Sequence, residues 1–256
     1  MGETEDTSRS IKAVDRAFTI IDALDELGGA KLTDLAQELG MANSTAHTYL
    51  QTLVEAGYVN REDDVYSTGL KFLKHGGQAR HQMRLHTVGR SQVDEVAQRT
   101  DEVASLGIED GGKRVLLYKS EGANAVYDNA PVGEYTKMHW SALGKAILSQ
   151  LDADRVSEII ESHGLPKRTE NTVTTLETLH EELERTTRRG YSIENEERRV
   201  GVSSVGVPIT DAEDELIGAM SVSGPANRFS RDWIEAEALP VLNNAVNVTE
   251  LRYVHD

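Results

Sequence analysis

Apolar residues recur at three- and four-residue spacing from Ile11 onward. Val14, Ala17, Phe18, Ile21 and Leu24 form one stripe and predict a helix that ends at Gly28-Gly29. Leu32, Leu35, Ala36 and Leu39 form a second stripe, and Gly40 is placed to end that helix in the left-handed conformation. Asn43 or Ser44 is expected to cap a third helix, with Ala46, Leu50, Leu53 and Val54 as its apolar face. The β-prone runs at Gly57-Tyr58-Val59 and Val65–Thr68 flank a polar turn and predict a hairpin. A helix, two helices around a tight glycine turn, and a hairpin make a winged helix-turn-helix, whose second helix enters the DNA major groove.

The outward face of the third helix bears on that reading. With Leu50 set toward the core, a turn of about 100° per residue points Ser44, Thr45, Thr48 and Thr52 away, with Tyr49 and Gln51 at the flanks. A solvated face would carry Glu and Lys, yet no acid occurs between Glu38 and Glu55. Hydroxyls, an amide and a phenol exchange hydrogen bonds with phosphates and base edges. The expected DNA-contacting residues are Asn43, Ser44, Thr45, His47, Thr48, Tyr49 and Thr52. Arg61 of the wing joins them, weakened by Glu62, Asp63 and Asp64 beside it.

Beyond the hairpin, Leu70–Leu73 resume a helical pattern, and Gln78–Arg90 continue it with few strong apolars, as a solvated or interfacial linker helix would. His75, His81 and His86 fall here without forming a metal cluster. His75 and His86 share a face roughly 16 Å apart, and His81 lies on another. From Val93 the pattern becomes α/β. Val103–Ile108 and Val115–Lys119 flank the hairpin signal Glu109-Asp110-Gly111-Gly112, and Ala125–Tyr127 and Tyr135–Met138 are further strands. Helices are expected at Ser141–Leu151, 153–163 and 175–189, and strands at 191–194, 202–210 and 216–223. Ser230 caps a closing helix to about Arg252, kinked at Pro240. The fold class is α+β, with an antiparallel sheet covered by helices in the second half, the layout of a small-molecule sensing domain. The domains are a disordered tail over 1–10, a winged helix over 11–75, a linker helix over 76–90, and an effector-binding and oligomerisation domain over 91–256.

Composition narrows the class. The 256 residues include no cysteine, which excludes disulfides and thiolate zinc sites. No apolar run reaches membrane-span length and the polar, acidic N-terminus has no signal-peptide pattern, so a cytoplasmic protein is expected. The net charge of −16 is unusual for a DNA binder, because phosphate neutralisation supplies much of such affinity. Of the 27 basic residues only nine are Lys, a balance that fits a salt-rich, halophilic host. The acidity is uneven: residues 91–256 hold 17 basic and 30 acidic groups, while 76–90 hold three arginines and no acid.

Candidate chemistry lies in the second half. Ser141-Ala142-Leu143-Gly144-Lys145 offers backbone N–H groups at a helix start, although Gly144 has the alternative role of close packing. Ser221 and Ser223 are two apart and share one face of a strand, as a polar ligand site would have them. Glu197, Arg198 and Arg199 read as a solvated charge run. No Gly-x-Ser-x-Gly elbow, Ser-x-x-Lys pair at Ser141, His-Glu-x-x-His or phosphate loop is present, so no enzyme, metal or cofactor is expected.

With these motifs in place, the chain resembles the IclR family of transcriptional regulators. The matching segments are Ala13–Ala17, Leu35-Ala36 through Ser44–His47, His139–Ala146, Gly190–Glu197 with Gly201, and Ser221–Pro225. The resemblance implies a winged helix, a linker helix and a GAF-like effector domain, acting as a homodimer or a dimer of dimers on an operator. It also implies an effector site at Ala142, Leu143, Glu194, Ser204, Ser221 and Ser223. Effectors of the family are small carboxylates, sugar acids or aromatic acids. Thr48 stands where many relatives carry Arg, Ser204 lies where many have Cys nearby, and Glu194 is often Asp. The expected function is a DNA-binding regulator responding to a small metabolite. The alternative is a sensor acting on a protein partner without DNA.

Overall fold

The computed structural model describes residues 11–126 and 130–255. The chain forms two compact units that divide between Ala79 and Arg80.

The first unit carries α1 (Lys12–Glu26), β1 (Ala30–Lys31), α2 (Leu32–Glu38), α3 (Asn43–Glu55), β2 (Val59–Glu62), β3 (Val65–Thr68) and the start of α4 (Lys71–Gln82). Its core gathers Ile20, Leu24, Leu35, Leu50 and Val59, all almost fully buried. Gly40 takes φ +60°, as the turn between α2 and α3 requires. The wing is a three-stranded sheet in the order β1-β3-β2, its third strand being a two-residue segment too short to show a period. Two expectations fail locally. The buried stripe of α1 is Ile20, Ala23 and Leu24, while Val14 and Phe18 are half exposed. Ala17 and Ile21 pack on the core, but Val14 and Phe18 line a groove left open beside α3 and so stay exposed. The other failure is the cap: α3 begins at Asn43 with Ala42 in the capping position, and neither Asn43 nor Ser44 caps it.

The second unit is built on a six-stranded sheet in the order β6-β5-β4-β9-β8-β7, antiparallel throughout. The strands are β4 (Val103–Asp110), β5 (Lys113–Glu121), β6 (Tyr135–Thr136), β7 (Ser192–Asn195), β8 (Val202–Thr210) and β9 (Leu216–Pro225). Alternation sends Ala104, Leu106, Val205, Val207, Met220 and Val222 to one face, where they pack with α5 (Arg84–Thr100) and α10 (Leu239–His255). The other face meets α6 (Ala142–Leu148), α7 (Ala153–His163) and α8 (Leu176–Arg189) through Leu143, Ile147, Val156, Leu179 and Ala219.

Several boundaries differ from those expected. The linker helix read over 76–90 is two helices broken at Met83, and α5 is part of the core, burying Leu85, His86, Val88 and Gly89. Small and polar residues made that stretch look solvated; Gly89 is buried because a Cβ there would press on Leu106. Ala125 and Val126 are not in a strand, and Tyr127 lies outside the described residues. Ser230 caps the single turn α9 (Arg231–Trp233) through the Trp233 N–H. Before Pro240, the turn Ile234–Ala238 widens to a π-helix. A wide turn absorbs the missing N–H and the ring clash that proline brings to a helix.

Candidate functional site

The proposed recognition helix presents a clear outer face. Asn43, Ser44, His47, Thr48 and Thr52 are exposed, while Thr45 and Tyr49 are half-buried, Tyr49 against the core. The Thr48 hydroxyl donates to Ser44 O at 3.0 Å, and that of Thr52 to Thr48 O at 2.9 Å. Their protons are therefore spent on the helix's own carbonyls, and each keeps lone pairs that accept from a base amino group rather than donate to a phosphate. Thr48, Tyr49 and Thr52 also border an apolar groove with Val14 and Phe18 of α1. In the wing, Arg61 donates to Asp63 O at 3.0 Å and lies 3.8 Å from the Asp64 carboxylate. Its guanidinium is folded onto its own turn and stays half exposed.

In the second unit the polar strand residues converge on one cavity of about 400 Å³, within the range of small-molecule sites. Leu143, Glu194, Ser204, Ser221 and Ser223 all line it; Ala142 does not, being fully buried beneath. The strand register explains the floor. Ser105 on β4 sits opposite Ser221 on β9, and Ser223 sits opposite Ser204 on β8, so four hydroxyls from three neighbouring strands share one face. Ser105 could not be found by pattern alone, since it becomes a neighbour of Ser221 only once β4 pairs with β9. Ser141 caps α6 by accepting from the Gly144 N–H at 3.1 Å. A Cβ on Gly144 would stand 2.3 Å from Met138 O, so this glycine serves close packing.

Glu194 is 2 % exposed, and its oxygens accept from the N–H groups of Glu197 (2.7 Å) and Arg198 (3.2 Å) and from the Ser204 hydroxyl (2.8 Å). Burial pushes its carboxyl above the ordinary range, against the pull of these three donors. Glu194 thus shapes the turn that follows it as well as facing the cavity.

Glu197 is not part of a solvated run. It is 7 % exposed and its Oε1 receives the ammonium of Lys145 at 2.7 Å, itself 1 % exposed. Glu182 stands 3.9 Å from the same ammonium and also holds Arg185 and Arg189. The Thr172 hydroxyl donates to Glu197 O (2.6 Å) and that of Thr169 to Glu196 O (2.7 Å), which ties the 164–175 segment to the 194–199 turn. Arg198 pairs with Glu134, as does Arg114, and both line the cavity. Arg168 lies over the Trp140 ring, 4.9 Å from its centroid. His139 is 1 % exposed and bonds Pro166 O at 3.2 Å through Nε2; burial lowers its pKa to about 4. The sequence reading missed Ser105, Arg114, Glu134 and Arg168 outright. An acid following an apolar helix that carries an unaccompanied Lys145 was the available signal for Glu197.

Comparison with known proteins decides the family. A model of the IclR helix-turn-helix domain matches residues 13–63, and one of the bacterial transcriptional regulator IclR C-terminal domain matches residues 77–249. The chain belongs to the IclR family. It is 32 % identical over 248 residues to the "Probable HTH-type transcriptional regulator ArcR" of Halobacterium salinarum, covering 95 % of this chain and 94 % of that one. It is 30 % identical to the HTH-type transcriptional regulator KdgR of Escherichia coli, covering 92 % of this chain and 90 % of that one. The crystal structure of the Thermotoga maritima IclR superposes with a TM-score of 0.77 at 28 % identity, over 95 % of this chain and 99 % of that one. This IclR-family chain is accordingly a DNA-binding transcriptional regulator responding to a small-molecule metabolite. Among the described residues no helix is long and apolar enough to cross a membrane.

Two measurements probe the packing behind the cavity of this IclR-family protein. Lys145→Met leaves the Glu197 carboxylate buried without its cation and is expected to cost about 3–5 kcal/mol in denaturant unfolding. Adding Glu197→Leu to that variant restores part of the loss, and a double variant no more stable than the single one removes the pairing argument. His139 carries its own pH signature. The folded ring titrates near 4 and the unfolded one near 6.5, so the unfolded chain takes the proton first. Stability conferred by the neutral ring is complete above pH 6.5 and falls as pH drops toward 4, by up to roughly 3 kcal/mol. His139→Gln keeps an N–H donor for Pro166 O and flattens that slope in unfolding curves across the window; equal slopes for both proteins refute it.

Proposed function

We propose that the cavity lined by Leu143, Glu194, Ser204, Ser221 and Ser223 binds the effector, and that α3 reads the operator through its exposed face. The observation that carries the first part is the serine floor. Hydroxyls of Ser105, Ser221 and Ser223 face the cavity with no hydrogen bond to another described residue. Polar groups so placed are costly to leave unmatched and favour a ligand that supplies partners. A sugar, a sugar acid or another small carboxylate of a catabolic route has the matching donors and acceptors. The second part rests on a helix face that offers Ser44, His47 and Thr48 to solvent without an acid. Assembly as a homodimer or a dimer of dimers would present two such helices to paired half-sites. Binding of metabolite and operator are then linked, each changing the other's affinity by the same factor.

The operator test is an electrophoretic shift with the DNA upstream of the protein's own gene. His47→Ala with Thr48→Ala removes exposed groups without touching the core, and is expected to weaken binding by about tenfold or more; unchanged affinity removes α3 from the interface. Ser221→Ala with Ser223→Ala is expected to leave operator binding intact and abolish its change on adding the metabolite. A response equal to the parent's places the effector elsewhere.

A further inference from the structure

The rim of the cavity holds more positive charge than one carboxylate uses. Among the described residues four guanidiniums line it, those of Arg114, Arg168, Arg198 and Arg199, against the carboxylates of Glu134 and Glu194. Glu134 is shared between Arg114, at 2.9 Å, and Arg198, at 3.4 Å. Glu194 is turned onto the N–H groups of its own turn and the Ser204 hydroxyl. Arg168 and Arg199 are exposed at the rim and form no ion pair with a described residue. Arg168 is nonetheless held in place over Trp140, and Thr169 beside it is bonded to Glu196 O, on the turn that carries Arg199. In a chain of net charge −16, two uncommitted cations at one concave rim run against the trend of the surface. Like-charged groups that share a cleft focus the field there and draw in anions.

We propose that the effector is a small hydroxylated compound that carries two anionic groups. Its hydroxyls lie along the serine floor, and its two anionic groups fall to the two uncommitted rim cations, Arg168 and Arg199, one to each. A ligand with a single charge leaves a rim guanidinium without a counterpart. The second anionic group is a carboxylate or a phosphate, both of which match the planar donors of arginine. The inference rests on the cavity being the effector site.

Calorimetric titration of the full chain tests it with three probes that share a six-carbon hydroxylated backbone: gluconate, glucarate and 6-phosphogluconate. At an ionic strength of about 0.1 M, where charges act over about 10 Å, glucarate or 6-phosphogluconate, each with two anionic groups, is expected to bind about tenfold or more tightly than gluconate. Which of the two binds more tightly distinguishes a carboxylate from a phosphate. Arg168→Gln with Arg199→Gln is expected to bring the preference within about twofold. Gluconate binding as tightly as the two probes with a second anionic group, no binding by any probe, or a preference that survives the arginine substitutions overturns the proposal. The cavity reading fails separately: it is refuted if binding is undiminished by Ser221→Ala with Ser223→Ala. Equal affinities for the three probes that are all lost on those serine changes retain the cavity and overturn only the second anionic group.

Discussion

A lysine ammonium, almost wholly out of water, ties together the elements around the cavity of the second unit. Lys145 reaches Glu197 at 2.7 Å from the middle of α6 and joins the helix that starts at the cavity to the turn that closes it. Two ions in a protein interior each lose several kcal/mol of hydration, recovered only by close geometry and further hydrogen bonds. They are only partly made: Glu197 Oε2 is buried with no hydrogen-bond partner among the described residues. Glu197 Oε1 also accepts the Asn195 N–H, and the Glu197 carbonyl accepts from Thr172. Glu194 in turn accepts the N–H groups of Glu197 and Arg198. The side chains that face the cavity are therefore positioned by groups that do not line it.

The sheet makes the same division between support and recognition. One face is apolar along its length, from Ala104 and Leu106 to Val205, Val207, Met220 and Val222, and is sealed by α5 and α10. The other is apolar only where α6, α7 and α8 cover it, and elsewhere turns to serine. The α6 backbone lies close against β8 because position 206 is glycine; a Cβ there would fall 2.8 Å from Ala142 carbonyl carbon. Hydroxyls that would be penalised in a sealed core stay available because the helix layer stops short of them. Recognition is placed where the packing ends.

These features were unequally legible in the sequence. Regular elements with a strong period were read closely, β8 at 202–210 and α7 at 153–163 above all. The paired serines on β9 were legible because a period of two fixes their common face. Charged residues were misread where their setting is tertiary. Glu197 and Arg198 sit in a run of charges that looks solvated, and only a lysine 52 residues earlier makes burial of the first tolerable. The α5 segment failed for the converse reason. Its buried face is made of His86, Gly89 and Gln92 as well as valines, and residues so weakly apolar become core only when a sheet lies against them. Val14 and Phe18 were assigned to the core by period alone, but a period shows which positions share a face and not whether anything covers it.

The DNA-binding unit has little positive charge to spare. Residues 11–75 carry six basic and ten acidic groups, and two of the basic ones are engaged within the unit. Lys71 donates to Ala56 O at the end of α3 and lies over Tyr58, while Arg61 is folded onto its own turn. Affinity gained by releasing counterions scales with the number of phosphates neutralised, and few cations are on hand to neutralise them. What α3 does present is a rigid row of neutral groups, with Thr48 and Thr52 pinned to carbonyls one turn back. Hydrogen bonds from such groups depend on fit rather than on long-range attraction and persist when charges are screened. If α3 reads the operator as proposed, binding by this acidic regulator loses less at high salt than that of a basic one, which depends on phosphate neutralisation.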